Sequence, residues 1–98
     1  MTYDPQPRDL SRIELPPELG PLVDLLEEHV HDLWARRRMD EGWVWGPVRN
    51  DTLKHHPCLV PTSELPDSER AYDRGTALST LRLVIALGGR ITFPTNPS

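Results

Sequence analysis

Three side chains with useful chemistry recur at helical spacing in the first half of the chain. His31, Trp34 and Arg38 stand at positions i, i+3 and i+7, which places them in one stripe of an α-helix, turned towards solvent at His31 and Arg38. An imidazole, an indole and a guanidinium together can stack a base and bind phosphate. In the more common arrangement, Trp34 covers the edge of the core and His31 bonds a loop carbonyl. The spacing fits both interpretations.

Two further tryptophans follow the stripe. Trp43 and Trp45 are two residues apart, so in an extended segment their side chains point to the same face. They line a pocket in one interpretation and cover the helix ends in the other. The sequence does not decide between these two roles.

Basic side chains gather a few residues later. Arg49, Lys54, His55 and His56 lie close to Asp51 in the chain. This set suits the capture of an anion, and it equally suits a solvated loop in which Arg49 pairs with Asp51. The candidate ligand-binding residues are therefore His31, Trp34, Arg38, Trp43, Trp45, Arg49, Asp51, Lys54 and His56.

Catalytic and metal-binding patterns are weak. Cys58 lies between Pro57 and Leu59, a setting more typical of a buried structural thiol than of a nucleophile. His29 and His31 would point about 200° apart on a helix, which does not suit one metal ion. We therefore expect no catalytic residues, no metal, no cofactor and no enzymatic activity.

Charge and composition narrow the class of protein. The chain has 98 residues and a formal net charge of -4, with residues 1–33 acidic and only residues 34–57 mildly basic. General binding to a nucleic-acid polymer favours a continuous basic face, so we expect none, whereas one small anionic ligand remains compatible. The strong excess of arginine over lysine is typical of G+C-rich genomes and favours a bacterial or phage source.

The sequence also predicts neither a membrane-spanning segment nor a signal peptide. The longest uncharged apolar run, residues 83–87, is far shorter than the ~20 residues that cross a bilayer. Asp4, Arg8 and Asp9 occupy the region where a signal peptide is apolar. With a single cysteine, these features predict a cytoplasmic protein that does not bind membranes.

Periodicity predicts the elements that position these side chains. A helix is expected over 21–40, with Gly20 as its cap and Gly42 as its stop. Its buried stripe consists of Leu22, Val23, Leu26, Val30 and Leu33.

The second half of the chain predicts a loop and two further helical segments. Residues 43–62 form the loop, which includes a short hairpin, and residues 63–72 form a short helix. A second main helix follows Gly75, with a stripe of Leu78, Leu81, Val84 and Ile85, and a short strand lies at 90–93.

The expected fold is mainly α, with two principal packed helices, a short helix, irregular loops and minor short β-strands. We assign residues 1–14 to an extended N-terminal arm, 15–93 to one domain and 94–98 to a flexible tail. A compact chain of this length has a radius of gyration of about 13 Å.

Five motifs follow one another in a distinctive order. The motifs are His31-Asp32-Leu33-Trp34-Ala35, Gly42-Trp43-Val44-Trp45-Gly46, Arg49-Asn50-Asp51, Lys54-His55-His56-Pro57-Cys58-Leu59-Val60-Pro61, and Asp73-Arg74 followed by Thr80-Leu81. Together they resemble the RyR domain, the repeat named after ryanodine receptors, and the likeness extends over about residues 3–93.

The resemblance implies a compact, mainly helical and non-enzymatic module. In the receptors the repeats occur as tandem pairs, and one such pair accepts an adenine nucleotide at the histidine and tryptophan of an H-x-x-W motif. Here the matching residues are His31 and Trp34. The resemblance therefore implies a nucleotide-like ligand.

A single repeat without its tandem mate suggests a homodimer. The alternative function is an interaction module that dimerises, or docks on a partner, without any small-molecule ligand.

Overall fold

The fold consists of two long helices connected by an irregular segment. The computed structural model describes residues 2–93. After a 3-10 turn at Pro17–Leu19, helix α1 spans Gly20–Asp40 and helix α2 spans Asp67–Ala86. Strands β1 (Val44–Trp45) and β2 (His55–His56) and a 3-10 turn at Thr62–Glu64 lie between them. The predicted mainly α class is confirmed.

Helix α1 is one residue longer at its start than predicted. Gly20 is its first residue, not its cap, and Leu19 occupies the cap position. Pro21 lies within the first turn, where its missing N–H has no intrahelical partner to lose.

The buried side of α1 differs from the predicted stripe. Leu33 is 48% exposed, while Glu27 and His31 are buried in line with Leu19 and Val23. The reason is that α2 packs against this side and brings polar partners with it. Arg70 approaches Glu27, with 3.9 Å between Nη2 and Oε2. Glu27 is therefore buried beside a partner of opposite charge, while Arg70 itself stays 44% exposed.

Helix α2 is continuous where two separate helical segments were predicted. Residues 67–72 of the short helix expected at 63–72 and the helix expected after Gly75 form one element, because Gly75 lies inside the helix at no prohibitive cost, whereas residues 63–66 precede it. Ala77 and Leu81 are its buried core residues, while Val84 of the predicted stripe is exposed.

The segment between the helices pairs differently from the predicted hairpin. β1 and β2 are parallel, with Val44 opposite His55 and Trp45 opposite His56. An antiparallel bridge between Asn50 and His55 closes the loop between them, and Lys54 adopts a positive φ of 57°. The connecting loop is compact, and β2 returns close to the end of α1.

The two ends of the described chain have little regular structure. Residues 2–9 are exposed and contain no helix or strand. Residues 90–93, predicted as a strand, contain none either. The predicted tail at 94–98 lies outside the described residues. The radius of gyration is 16.4 Å, above the expected value of about 13 Å for a compact chain of this length. No described helix is long and apolar enough to cross a membrane.

Candidate functional site

The end of α1 is built so that the chain folds back on the helix. The Trp43 N–H donates to the Arg38 carbonyl at 2.9 Å and the Gly42 N–H donates to the Met39 carbonyl at 3.0 Å, which is a Schellman motif. Gly42 supplies the required left-handed residue, with a φ of 94°. This turn places the Trp43 ring beneath Arg38, with the guanidinium carbon 5.2 Å from the ring centroid.

A cavity of about 280 Å³ opens between α1, α2 and the segment that connects them. We call it the interhelix cavity. Helix α1 supplies one wall, residues 65–73 supply the opposite wall, and the connecting segment closes one side. Its lining residues are His31, Trp34, Arg38, Arg49, His56, Cys58, Leu65, Glu69, Tyr72 and Asp73.

Three wider grooves of about 680, 620 and 480 Å³ lie elsewhere among the described residues, and none of them includes any of the nine predicted site residues. The interhelix cavity is smaller but more enclosed, and five of those residues line it. Enclosure and convergent polar groups are the marks of a ligand site, so we take this cavity as the candidate site.

His31 occupies the inner part of this cavity. It is 3% exposed, and Nε2 donates a hydrogen bond to the Val60 carbonyl at 2.6 Å. A carbonyl only accepts, so Nε2 carries the hydrogen and Nδ1 faces the Asp73 carboxylate 3.9 Å away. The expectation that His31 turns towards solvent is wrong, because α2 and the segment around Val60 cover it. The second interpretation of the sequence, a bond to a loop carbonyl, describes its contact.

Aromatic rings form the middle of the cavity. The Trp34 ring stacks on His31, with centroids 5.7 Å apart, and meets His56 edge-on at 4.9 Å. Trp43 contacts the other side of His56 at 6.2 Å and is buried behind it. Tyr72 lines the opposite wall and is largely exposed. The cavity thus presents apolar faces from both helices.

Positive charge collects at the end of the cavity near the C-terminus of α1. Arg38 and Arg49 line it together with His56. Burial lowers the pKa of His56, and the nearby charges of Arg49 and Arg38 lower it further. His56 Nδ1 accepts a hydrogen bond from the Cys58 N–H at 3.0 Å, so this nitrogen is unprotonated.

Negative charge lies at the other end, beside His31. Burial raises the pKa of Asp73; the charge of His31 lowers it, while Glu69 and Glu27 raise it further. Burial also raises the pKa of the Cys58 thiol, with Glu69 and Asp73 adding to the effect. The thiol is therefore protonated at neutral pH, which does not suit a nucleophile.

Four predicted site residues lie outside the cavity lining. Trp43 is buried behind His56, whereas Trp45 is 54% exposed, so the two rings do not share a face. Only Val44 and Trp45 are in the strand, which removes the alternation that the prediction assumed. Asp51 accepts from Arg49 Nε at 2.8 Å, which lowers the pKa of Asp51. Lys54 Nζ donates to the Glu41 carbonyl at 2.7 Å and ties the loop to the end of α1.

The wall from α2 was missed in the sequence. Leu65 precedes α2, while Glu69, Tyr72 and Asp73 lie within its first two turns, with Glu69 three and four residues before the other two, which is the spacing of neighbours on a helix surface. The short helix predicted at 63–72 contained Leu65, Glu69 and Tyr72, but nothing in its sequence indicated that this side would face α1. Among residues 2–93, no group of three or more histidine, cysteine, aspartate or glutamate side chains is arranged to hold a metal ion.

The fold and the cavity define a small, mainly helical module with one enclosed site between its two helices. The family model of the RyR domain matches residues 3–93. The chain therefore belongs to the RyR domain family.

Proposed function

We propose that this RyR domain binds a nucleotide or a nucleotide-derived anion in the interhelix cavity. The observation that carries the proposal is the combination, in one enclosed space, of the Trp34 and Tyr72 rings with Arg38, Arg49 and His56. Aromatic faces stack bases, at about 1–3 kcal/mol per base, and guanidinium groups bind phosphate in a forked geometry.

The size of the cavity limits the ligand. A volume of about 280 Å³ is at the small end of ligand sites, which span roughly 300–1,000 Å³. The enclosed part of the ligand is therefore about as large as a nucleoside, and its phosphate lies at the basic mouth. Larger derivatives would extend into solvent past the exposed side chain of Arg49.

His31 has a positioning role in this proposal. Its bond to the Val60 carbonyl fixes the ring, and the ring in turn supports Trp34. The module acts by binding and catalyses no reaction, since the raised pKa of Cys58 argues against a nucleophile in the cavity. A cytoplasmic location suits both the ligand and the free thiol.

Arg38→Gln tests the proposal against Arg37→Gln. Both arginines are in the last turns of α1, but only Arg38 lines the cavity. Calorimetric titration with GMP and with AMP should show binding that Arg38→Gln weakens about tenfold or more, because a charge-assisted hydrogen bond is lost. Arg37→Gln should bind like the wild type. Equal affinities in the two variants, or no nucleotide binding at all, would contradict the proposal.

A second candidate function, a homodimeric interaction module, is favoured by the exposed surface. The chain exposes 7737 Å², whereas a compact protein of its mass exposes about 5,700 Å². Val44, Trp45, Val48 and Leu53 are exposed apolar residues in the segment between the helices, and we call these four residues the loop patch. We propose a second copy of this chain as its occupant, since the excess of about 2,000 Å² over the expected surface is more than the roughly 800 Å² per partner that a standard interface buries.

A further inference from the structure

The interhelix cavity is electrically polarised along its length. Asp73 lies beside His31, whereas Arg38 lies seven residues further along α1, which is about 10 Å along the helix axis. Arg49 and His56 line the cavity together with Arg38, and both arginines contribute to lowering the pKa of His56. A ligand that enters this cavity meets two guanidinium groups at one end, with Glu41 3.8 Å from Arg38 and Asp51 2.8 Å from Arg49, and the Asp73 carboxylate at the other end.

The Asp73 carboxylate at the inner end of the cavity can accept further hydrogen bonds. Its side chain is 16% exposed, and no residue in 2–93 donates it a conventional hydrogen bond, since His31 Nδ1 stands 3.9 Å from Oδ2. An ionised carboxylate only accepts hydrogen bonds, with two oxygens side by side. The ligand atoms placed against Asp73 must therefore be donors. Burial raises the pKa of Asp73, so its ionised form gains from any donor that replaces lost water.

The nucleobases differ in the donors that they present. The pairing edge of adenine or cytosine places one amino donor next to a ring-nitrogen acceptor, which would face the second carboxylate oxygen. Uracil presents one N–H between two carbonyl oxygens. Guanine presents an N–H and an amino group next to each other, and these match the two oxygens of one carboxylate. We infer that the interhelix cavity selects a guanine nucleotide, with Asp73 accepting from the base and Arg38 and Arg49 holding the phosphate.

Glu69 also fits a nucleotide that lies with its base at Asp73 and its phosphate at the arginines. It is one helical turn before Asp73 on α2 and lines the same cavity. A carboxylate between the base end and the phosphate end can accept from the ribose hydroxyl groups. The inference rests on the proposed function, since it names the class of nucleotide for the same site.

Titration with GMP, IMP and AMP tests the inference. IMP differs from GMP only by the missing amino group, so it isolates the contact to Asp73. The wild type should bind GMP about tenfold or more tightly than IMP and AMP, as a lost bidentate contact costs. Asp73→Asn, which keeps the size of the side chain, should abolish the difference between GMP and IMP. Asp67→Asn, the same change outside the cavity on α2, should preserve it.

Each of the other possible results would overturn a different part of the inference. Binding of GMP and IMP with equal affinity, or tighter binding of AMP, would overturn the guanine inference and leave the proposed function standing. An unchanged preference in Asp73→Asn would overturn the assignment to Asp73. No binding of any of the three nucleotides to the wild type would overturn the inference and the proposed function together.

Discussion

The cavity residues of α1 share one helical stripe but have different surroundings. His31 is fixed by Val60 and faces Asp73, Trp34 contacts two imidazole rings, and Arg38 is about one third exposed over Trp43. The order from buried imidazole to exposed guanidinium gives the cavity an inner end and a mouth. His31 and His56 therefore have different surroundings: His31 bonds a buried backbone carbonyl, whereas His56 lines the cavity beside Arg38 and Arg49.

His56 makes the stability of the fold depend on pH. Its folded-state pKa is lowered from 6.5 by burial and by Arg49 and Arg38, so the unfolded chain binds the proton more strongly. This contribution to stability is present above pH 6.5 and is lost as the pH falls through the lowered folded-state pKa. Protonation of Nδ1 would also break its bond from the Cys58 N–H.

Urea unfolding at pH 7.5 and pH 5.5 measures this effect. We expect the free energy of unfolding to fall between these values, and to fall less in His56→Gln. His29→Gln, a change on the exposed side of α1, is the control and should behave like the wild type. Asp73 acts with the opposite sign, because its raised pKa stabilises the fold at lower pH; both variants retain Asp73, so it does not affect the comparison. Equal pH dependence in His56→Gln and the wild type would contradict the role of His56.

The residue types at the cavity could be read from the sequence, but their surroundings could not. Helical spacing alone placed Trp34 and Arg38 in one stripe. The burial of His31 depends on Val60, 29 residues further along the chain, and on Asp73 in the second helix. Contacts between such distant segments leave no periodic pattern, which is why the solvent-facing expectation failed.

At the scale of elements, two glycines have opposite roles. A Cβ at Gly46 would stand 2.6 Å from the His55 Cβ, so β1 packs against β2 only because residue 46 has no side chain. A Cβ at Gly75 would meet nothing within 4 Å, and Gly75 lies inside α2. The same substitution should therefore have opposite effects at the two positions.

Gly46→Ala and Gly75→Ala form a matched pair. Gly46→Ala should lower the free energy of unfolding by about 1–3 kcal/mol, because the clash displaces β2. Gly75→Ala should raise it by about 0.5–1 kcal/mol, because alanine restricts the unfolded chain and favours the helix. Chemical denaturation measures both values. A stabilising Gly46→Ala would contradict the described packing of the strands.

The continuity of helix α2 through Gly75 was the main feature of the elements that the sequence did not predict. Gly42 gave a clear stop signal after α1 and does adopt a positive φ of 94°, and Gly88, after α2, has a φ of 92°. Gly75 is also a glycine, but it keeps a helical conformation, because the packing of Ala77 and Leu81 maintains the helix around it. The parallel pairing of β1 and β2 was also invisible, because two residues per strand give no alternation.

At the scale of the whole molecule, the domain is open and flat. Its extents are 48 × 45 × 23 Å, and part of its excess surface comes from the exposed residues 2–9. The loop patch is another part of that surface, and Trp45 pairs in register with the cavity residue His56. Association through the loop patch would therefore cover surface close to the interhelix cavity.

Sedimentation equilibrium tests the proposed homodimer. We expect a mass approaching twice the 11.2 kDa of the chain as concentration rises, and a monomer mass for Trp45→Glu. Leu87→Glu introduces the same charge at a comparably exposed apolar residue outside the loop patch, and it should still dimerise. A mass of 11.2 kDa at all concentrations would contradict the homodimer, and the ligand-binding proposal would be unaffected.

The three tryptophans allow a direct test of whether a nucleotide occupies the interhelix cavity. A nitrogen–proton correlation spectrum resolves their indole N–H groups during titration with GMP. Trp34 lines the cavity, while Trp45 is exposed outside it and is the internal control. We expect a saturable shift of the Trp34 signal with little change at Trp45. An unmoved Trp34 signal at saturating GMP, or equal shifts of all three signals, would show that no nucleotide binds in the cavity.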